Sequence, residues 1–150
     1  MKKFSHLNAR GEVNMVNVSA KPPACREAVA RGAILLQPAT LAAIEQDEMA
    51  KGNVFACARV AGILAAKKTG ELIPLCHPLN ITHCSIQFEI PPARDRVIIT
   101  ASARITAATG VEMEALTAVS VAALTVYDMC KALDKTMRIT DIVLVSKTKK

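Results

Sequence analysis

The stretch of sequence that decides the fold runs from residue 81 to residue 106 and reads ITHCSIQFEIPPARDRVIITASARIT. Polar and apolar residues alternate over 81–90, as in a strand with one buried face. Pro91 and Pro92 then predict a turn, and the β-branched residues of 96–106 favour a second strand. The stretch therefore predicts a β-hairpin.

The sequence before the hairpin predicts one strand and two helices. Residues 24–36 alternate weakly and contain a glycine that would weaken a helix, so they favour a strand. Thr40 is a suitable N-cap for a short helix over 40–49, and Asn53 is a suitable N-cap for a second helix over 54–68.

The sequence after the hairpin predicts a long helix and a last strand. Thr109 is expected to cap a helix over 111–134, and a strand is expected over 138–146. The resulting order, β-α-β-β-α-β, predicts an α+β fold of the ferredoxin-like kind, with an antiparallel sheet and helices packed on one face.

The domain organisation expected from these patterns is simple. We expect a partly irregular N-terminal arm over 1–20, a single domain over 21–146 and a basic C-terminal tail over 147–150. A chain of 150 residues is long enough to bury a core without disulfides or a structural metal.

The long helix predicts self-association because it is apolar around most of its circumference. A helix of this kind is buried on several sides. One face can pack on its own sheet, so another must contact something else, and we expect an oligomer. The residues concerned are Val111, Leu116, Val119, Val121, Ala123, Leu124 and Val126.

The net charge of +6 allows two interpretations. It favours an anionic partner such as a phosphorylated ligand, a nucleic acid or a membrane surface, or it serves only solubility. Four of the lysines are terminal and are expected to be solvated: Lys2, Lys3, Lys149 and Lys150.

The five cysteines indicate free thiols and a reducing, cytoplasmic compartment. Their number is odd and no CxxC motif occurs, so we expect neither a disulfide framework nor a metal site. The N-terminus carries no apolar leader pattern, and no charge-free apolar run reaches about 18 residues. We therefore expect no membrane association.

A charged edge near the end of the long helix is a candidate catalytic site. Asp128, Lys131 and Lys135 are spaced three and four residues apart. This is either a surface ion-pair ladder or a functional cluster, since a lysine bordering an apolar region can have a lowered pKa and act as an acid or base. Glu114 would stand about 21 Å away along the axis, so a site using both ends needs a neighbouring subunit.

Two loops are further candidates. His77 lies in 71–79, whose two prolines exclude a regular central element. It could donate a proton, contact phosphate, or serve only a structural role, and Cys76 is a weaker candidate nucleophile. Lys51, Gly52 and Asn53 could receive an anion at a helix N-terminus or form a simple cap junction.

Four segments resemble one known family. Residues 109–131 read TGVEMEALTAVSVAALTVYDMCK and carry the most specific match. Residues 15–21 (MVNVSAK), 51–66 (KGNVFACARVAGILAA) and 71–79 (ELIPLCHPL) add to it. The chain resembles the cyclic pyranopterin monophosphate synthase family of molybdenum-cofactor biosynthesis from about residue 4 to residue 146.

This resemblance implies a lyase that needs no cofactor. Its substrate would be (8S)-3′,8-cyclo-7,8-dihydroguanosine 5′-triphosphate, made by a partner radical enzyme, and its products cyclic pyranopterin monophosphate and diphosphate. The resemblance also implies a homohexamer, built as a trimer of dimers, with its sites between subunits.

The resemblance assigns roles to nine residues. It places the catalytic acid or base at Asp128, with Lys51 and Lys131 beside it. The substrate contacts that it implies are Leu75, Cys76, His77, Glu112, Met113 and Glu114.

The sequence departs from the family pattern in several places. Asn17 and Asn53 stand where the family usually has acidic residues, and Ala107-Ala108 stands where Gly-Lys is usual. Thr140 replaces a usual glycine, and the C-terminal tail is shorter than in the family. A weakened or regulatory oligomer of the same family is therefore an alternative. A basic nucleic-acid-binding module is another, although RNA-binding sheets of this kind stack bases on aromatic residues and only Phe88 lies on a predicted strand.

Overall fold

A computed structural model of the chain describes residues 7, 8 and 10–150. The predicted solvated lysines Lys2 and Lys3 lie outside the described residues. Before the first strand, an isolated β-bridge joins Leu7 to Val13, and the backbone N–H of Lys21 donates to the carbonyl of Val18 at 3.0 Å.

The described chain contains four strands and four helices in the order βαααββαβ. Two of the helices that follow the first strand are short, and the remaining order is the predicted one. The bounds are β1 Ala24–Leu35, α1 Pro38–Glu45, α2 Val54–Lys67, α3 Thr69–Leu72, β2 His83–Glu89, β3 Arg96–Ala107, α4 Glu112–Cys130 and β4 Arg138–Lys149.

The strands form one antiparallel sheet in the order β2-β3-β1-β4. Strand β1 lies in the middle, so Ala30 pairs with Ala101 of β3 on one side and with Leu144 of β4 on the other. The predicted α+β, ferredoxin-like fold and the β2–β3 hairpin are confirmed.

One face of the sheet packs against α2 and α4 and forms the core. Every second residue of β3 from Val97 to Ile105 is buried on this face. Close packing relies on small residues, because a Cβ at Gly62 of α2 would lie 2.8 Å from the carbonyl oxygen of Ala118 in α4.

Helix α4 has the length and apolar composition of a membrane span, but more than half of that stretch is buried inside the domain. Its buried residues contact the sheet and α2. Leu124 remains 57% exposed. The prediction that this helix is buried on several sides is confirmed, and Met113 is also exposed, at 37%.

Two predicted helix caps are wrong. Helix α1 begins after Gln37, and the hydroxyl of Thr40 is buried inside the helix, where it donates to Asp134. Helix α4 begins after Val111, so Thr109 lies outside it. The predicted cap at Asn53 is confirmed, since its Oδ1 accepts from the backbone N–H of Ala56 at 2.8 Å.

Three element boundaries also differ from the predicted ones. Helix α1 ends at Glu45, and α4 ends at Cys130, where Lys131 caps it, so Lys135 is not on the helix. The polar residues 147–149 continue β4 because their backbone pairs with the start of β1. The predicted end of the last strand at residue 146 is therefore wrong.

Candidate functional site

The largest group of predicted site residues lines one cavity of about 360 Å³ between the arm, the α3–β2 loop and the start of α4. All six residues predicted to contact substrate lie in its wall. The full lining is Val16, Val18, Lys21, Leu75, Cys76, His77, Leu79, Thr109, Gly110, Glu112, Met113 and Glu114.

The α3–β2 loop is held against the cavity by close backbone contacts. A Cβ at Gly70 would stand 2.9 Å from the Cα of Pro78, so only glycine allows this approach. The Nε2 of His77 lies 2.8 Å from the carbonyl oxygen of Val16 in the arm. Because a carbonyl only accepts, Nε2 donates this bond, which leaves Nδ1 as the ring nitrogen for a ligand.

Two glutamates of the cavity have pKa values displaced in opposite directions. Glu114 is 3% exposed, and burial, reinforced by the nearby Glu112 charge, raises its pKa. Burial also acts to raise the pKa of Glu112, but Lys147 lowers it overall through an ion pair of 2.9 Å. Paired carboxyl groups with separated pKa values can divide acid and base roles.

The cysteine of this cavity is not poised as a nucleophile. Burial raises the pKa of the Cys76 thiol, and the neighbouring Glu114 raises it further. A thiol with a raised pKa is protonated near neutral pH and reacts slowly. Cys76 therefore serves the site by lining it.

A second cavity of about 170 Å³ adjoins the first and is rich in positive charge. Gly110 and Glu112 line both cavities. The second is also lined by Arg26 of β1 and by Lys147 and Lys149 of β4. A ligand with an uncharged body and a negatively charged chain could occupy both cavities together.

Sequence reasoning missed the cationic residues of these cavities. Lys21 belongs to the recognised segment 15–21, so its signal was present. Arg26 and Lys147 come from strands that meet only in the folded sheet, and neither stands in a motif. Arg26 also donates to the carbonyl oxygens of Ala107 and Ala108, at 3.0 and 3.1 Å.

The three predicted catalytic residues form a separate cluster at the other end of α4. Asp128 Oδ2 lies 2.6 Å from Lys51 Nζ, and its Oδ1 lies 2.7 Å from Lys131 Nζ. Lys51 Nζ also donates to the backbone carbonyl of Asp128 at 3.1 Å. Because α4 ends at Cys130, Lys135 lies beyond the helix, and its predicted place on the same helical edge is wrong.

The electrostatics of this cluster differ from the sequence expectation. All three side chains are about half exposed. Hydrogen bonds and charges from Lys131 and Lys51 lower the pKa of Asp128 to about 2, and Asp128 in turn raises the pKa of Lys131. The expected lysine with a lowered pKa is therefore wrong for a single chain, because an exposed ion pair favours both charged forms.

The departures from the family pattern have local roles in the structure. Asn17 Oδ1 accepts from the backbone N–H of Ser19 at 2.9 Å, and Asn53 caps α2. Ala107 and Ala108 present the carbonyls that bind Arg26. Within the described part of the chain, no three His, Cys, Asp or Glu side chains lie together as metal ligands would.

Comparison with known proteins gives a consistent match over nearly the whole chain. The model of the MoaC family matches residues 15–150. A protein of Chloroflexus aggregans named cyclic pyranopterin monophosphate synthase is 58% identical over 145 residues, which cover 97% of this chain and 88% of the relative. Proteins of the same name from Pelotomaculum thermopropionicum and Desulforapulum autotrophicum are 55% and 53% identical over 148 residues, which cover 99% of this chain and 87% and 91% of the relatives.

Proposed function

The chain belongs to the MoaC family, and we propose from this premise that it is a cyclic pyranopterin monophosphate synthase of molybdenum-cofactor biosynthesis. It converts (8S)-3′,8-cyclo-7,8-dihydroguanosine 5′-triphosphate into cyclic pyranopterin monophosphate and releases diphosphate. The single observation that carries the proposal is the cavity whose wall contains all six residues that the family resemblance assigns to substrate binding.

The first cavity suits the base of this substrate. A guanine-derived ring presents N–H donors along one edge, and Glu112 and Glu114 can accept them. Val16, Val18 and Leu75 contribute apolar side chains to the same lining. A largely apolar cavity with a few convergent polar groups is the usual form of a small-molecule site.

The second cavity suits the triphosphate. Arg26, Lys147 and Lys149 supply positive charge in its wall. Closing the cyclic phosphate requires a hydroxyl oxygen to attack the first phosphorus while the bond to diphosphate breaks. Cations beside the leaving diphosphate stabilise the charge that develops on it.

The Lys51–Asp128–Lys131 cluster supplies the proton transfers. The rearrangement opens the five-membered ring of the base, forms a pyran ring and involves no net redox change, so proton donors and acceptors suffice. In a single chain the ion pairs lower the pKa of Asp128 and raise that of Lys131, so both charged forms are favoured. Covering the cluster with a second subunit would remove water and penalise the charged form of Lys131, which would bring its pKa down toward the working range.

We propose that the assembly is a homohexamer built as a trimer of dimers. Its support is the unpaired apolar surface of the described chain. On α2, Val60 is 59% exposed and Leu64 is 50% exposed, and four consecutive apolar residues are exposed on the edge strand β4. Apolar surface of this kind on an edge strand or helix marks an interface.

The proposed cellular setting is the cytoplasm. All five cysteines are free, and Cys25 and Cys57 are exposed, which suits a reducing compartment. The substrate is supplied by the radical enzyme that cyclises guanosine triphosphate, so we expect a functional link between the two enzymes.

The alternative of nucleic-acid binding lacks the surface that it needs. The aromatic residue on the described strands, Phe88, stacks on Phe55 of α2 with ring centroids 4.7 Å apart. It therefore lies on the helix-covered face of the sheet and offers no stacking platform for bases.

A turnover assay tests the proposal. The purified chain is given the cyclised dihydroguanosine triphosphate, and diphosphate and the cyclic pyranopterin are quantified together. Release of both in equal amounts supports the proposal. A folded, assembled protein that releases neither would contradict it and would favour the regulatory oligomer.

A further inference from the structure

A buried carboxylate that the proposed mechanism does not use lies close to the charged cluster. Asp134 is 2% exposed and follows the end of α4. Its Oδ2 accepts from the backbone N–H of Gln37 at 2.8 Å and from the hydroxyl of Thr40 at 3.2 Å. Its Oδ1 accepts from the backbone N–H and the hydroxyl of Thr136, at 2.8 and 2.7 Å.

These bonds keep the carboxylate charged despite its burial. Burial acts to raise the pKa of Asp134, but the bonds from Gln37 and Thr136 lower it overall. A buried carboxylate that accepts several hydrogen bonds is costly to disturb, because each orphaned donor would remain buried without a partner.

The two oxygens of Asp134 join the two segments that carry the charged cluster. One oxygen binds the first turn of α1, and the chain passes from α1 to Lys51 through 46–50, a segment without regular structure. The other oxygen orders the connection between α4 and β4. The backbone N–H of Asp134 also donates to the carbonyl of Cys130, next to Lys131.

The ion pairs of the cluster contribute little rigidity themselves. Lys51, Asp128 and Lys131 are each about half exposed, and an exposed ion pair constrains long side chains weakly. Their mutual geometry therefore depends on the backbone that carries them. Asn53 Nδ2 donates to Asp47 Oδ1 at 2.8 Å and so links 46–50 to the start of α2, while the other end of that segment is set by how α1 lies against the end of α4.

We propose that Asp134 is a positioning residue, which fixes α1 against the α4–β4 connection and so holds Lys51 beside Asp128 and Lys131. The structural role of Asp134 is independent of the proposed function, and only its expected effect on kcat rests on that function. Loss of the hydrogen bonds that Asp134 accepts allows Lys51 to shift. A shift of about 1 Å at a catalytic group can lower the rate a hundredfold. Substrate affinity is set by the cavities at the other end of α4 and is unaffected.

The experiment compares Asp134→Asn with the wild type and with three further variants. Thr40→Val removes the hydroxyl that donates to Asp134 and keeps the side-chain shape, whereas Thr40→Ser keeps the hydroxyl. Ile99→Val trims a fully buried side chain of β3 and controls for general destabilisation. Amide hydrogen exchange over 46–53 and steady-state kinetics are measured for each.

The expected result is faster exchange over 46–53 and a kcat lowered about tenfold or more, with KM within about twofold, in Asp134→Asn. Thr40→Val should show a smaller change in the same direction, and Thr40→Ser and Ile99→Val should resemble the wild type. Unchanged exchange and kcat in a folded Asp134→Asn, or equal effects in Ile99→Val, would overturn the proposal. If Asp134→Asn does not fold, the comparison of Thr40→Val with Thr40→Ser tests the proposal, and equal exchange over 46–53 and equal kcat in these two variants would overturn it. Exchange needs no turnover, so an inactive wild type would count against the proposed function alone.

Discussion

Glu114 and Asp128 lie on the same helix, fourteen residues apart, so that about 21 Å of helix axis separates the binding cavity from the charged cluster. Glu114 lines the cavity at the start of α4, and Asp128 binds Lys51 and Lys131 near its end. One small substrate cannot touch both groups in a single chain. The two ends therefore act together only if different copies of the chain supply them.

The two cluster lysines should be essential for turnover. Lys51→Ala or Lys131→Ala should lower kcat by about a hundredfold or more, which is the usual loss when a proton-transferring group is removed. Lys135→Ala is the matched control, because Lys135 is an exposed lysine beyond the end of α4. Full turnover by either cluster variant, with folding intact, would contradict the assignment.

The buried carboxylate of Glu114 should lower the stability of the fold at neutral pH. Its raised pKa means that the folded state binds a proton more tightly than the unfolded state, so stability falls as pH rises above the ordinary value of 4.5. Glu114→Gln should therefore be more stable than the wild type at pH 7, and the difference should shrink toward pH 4. Thermal unfolding at several pH values measures this.

The same variant should bind substrate poorly. Removing a charged acceptor of hydrogen bonds costs about 1.5–3 kcal/mol, so KM should rise roughly tenfold or more. Glu89→Gln, on the exposed side of β2, is the control and should change neither property. A Glu114→Gln variant with unaltered KM would remove Glu114 from the binding site.

The ion pairs of Asp128 should stabilise the fold only above a low pH. Its pKa in the folded chain is about 2, against an ordinary value of 3.8, so its contribution is present above 3.8 and is lost as pH falls toward 2. The difference in free energy of unfolding between the wild type and Asp128→Asn should shrink over that range. Urea unfolding measures it, and a difference independent of pH would show that the lysines do not hold the carboxylate.

Gly62 should tolerate no side chain. A Cβ there would clash with Ile86 and stand 2.8 Å from the carbonyl oxygen of Ala118, and backbone cannot yield easily. Gly62→Ala should destabilise the fold by about 1–3 kcal/mol. Cys57→Ala, at an exposed position of the same helix, should be nearly neutral. Equal unfolding midpoints for the two variants would contradict the close packing of α2 on α4.

Much of the fold can be predicted from local pattern. Alternation over 81–90 and the β-branched residues of 96–106 predict the two strands of the hairpin, and Asn53 is correctly predicted as the cap of α2. Thr40 and Thr109 are wrongly predicted as helix caps because a threonine hydroxyl is a common cap. The hydroxyl of Thr40 instead donates to Asp134, a residue distant in sequence. The polar residues 147–149 extend β4 through pairing with β1, which no local pattern reveals.

The candidate site was predictable only in part. Segments with recognisable motifs lead to the six cavity residues and to the charged cluster. Arg26 and Lys147 stand outside those motifs and meet only across the folded sheet. The protonation behaviour of Asp128 and Lys131 depends on exposure and on partners, which the spacing of residues along a helix does not determine.

We propose that the cavity of one copy and the cluster of another form a single active site. Diphosphate release by assemblies formed from equal amounts of His77→Ala and Lys51→Ala chains tests this most directly. Each variant alone should be nearly inactive. Random pairing across a two-fold interface should restore roughly a quarter of wild-type activity, because half of the pairs are mixed and each mixed pair has one intact site. Activity no greater than that of the separate variants, from assemblies shown to contain both chains, would contradict the claim.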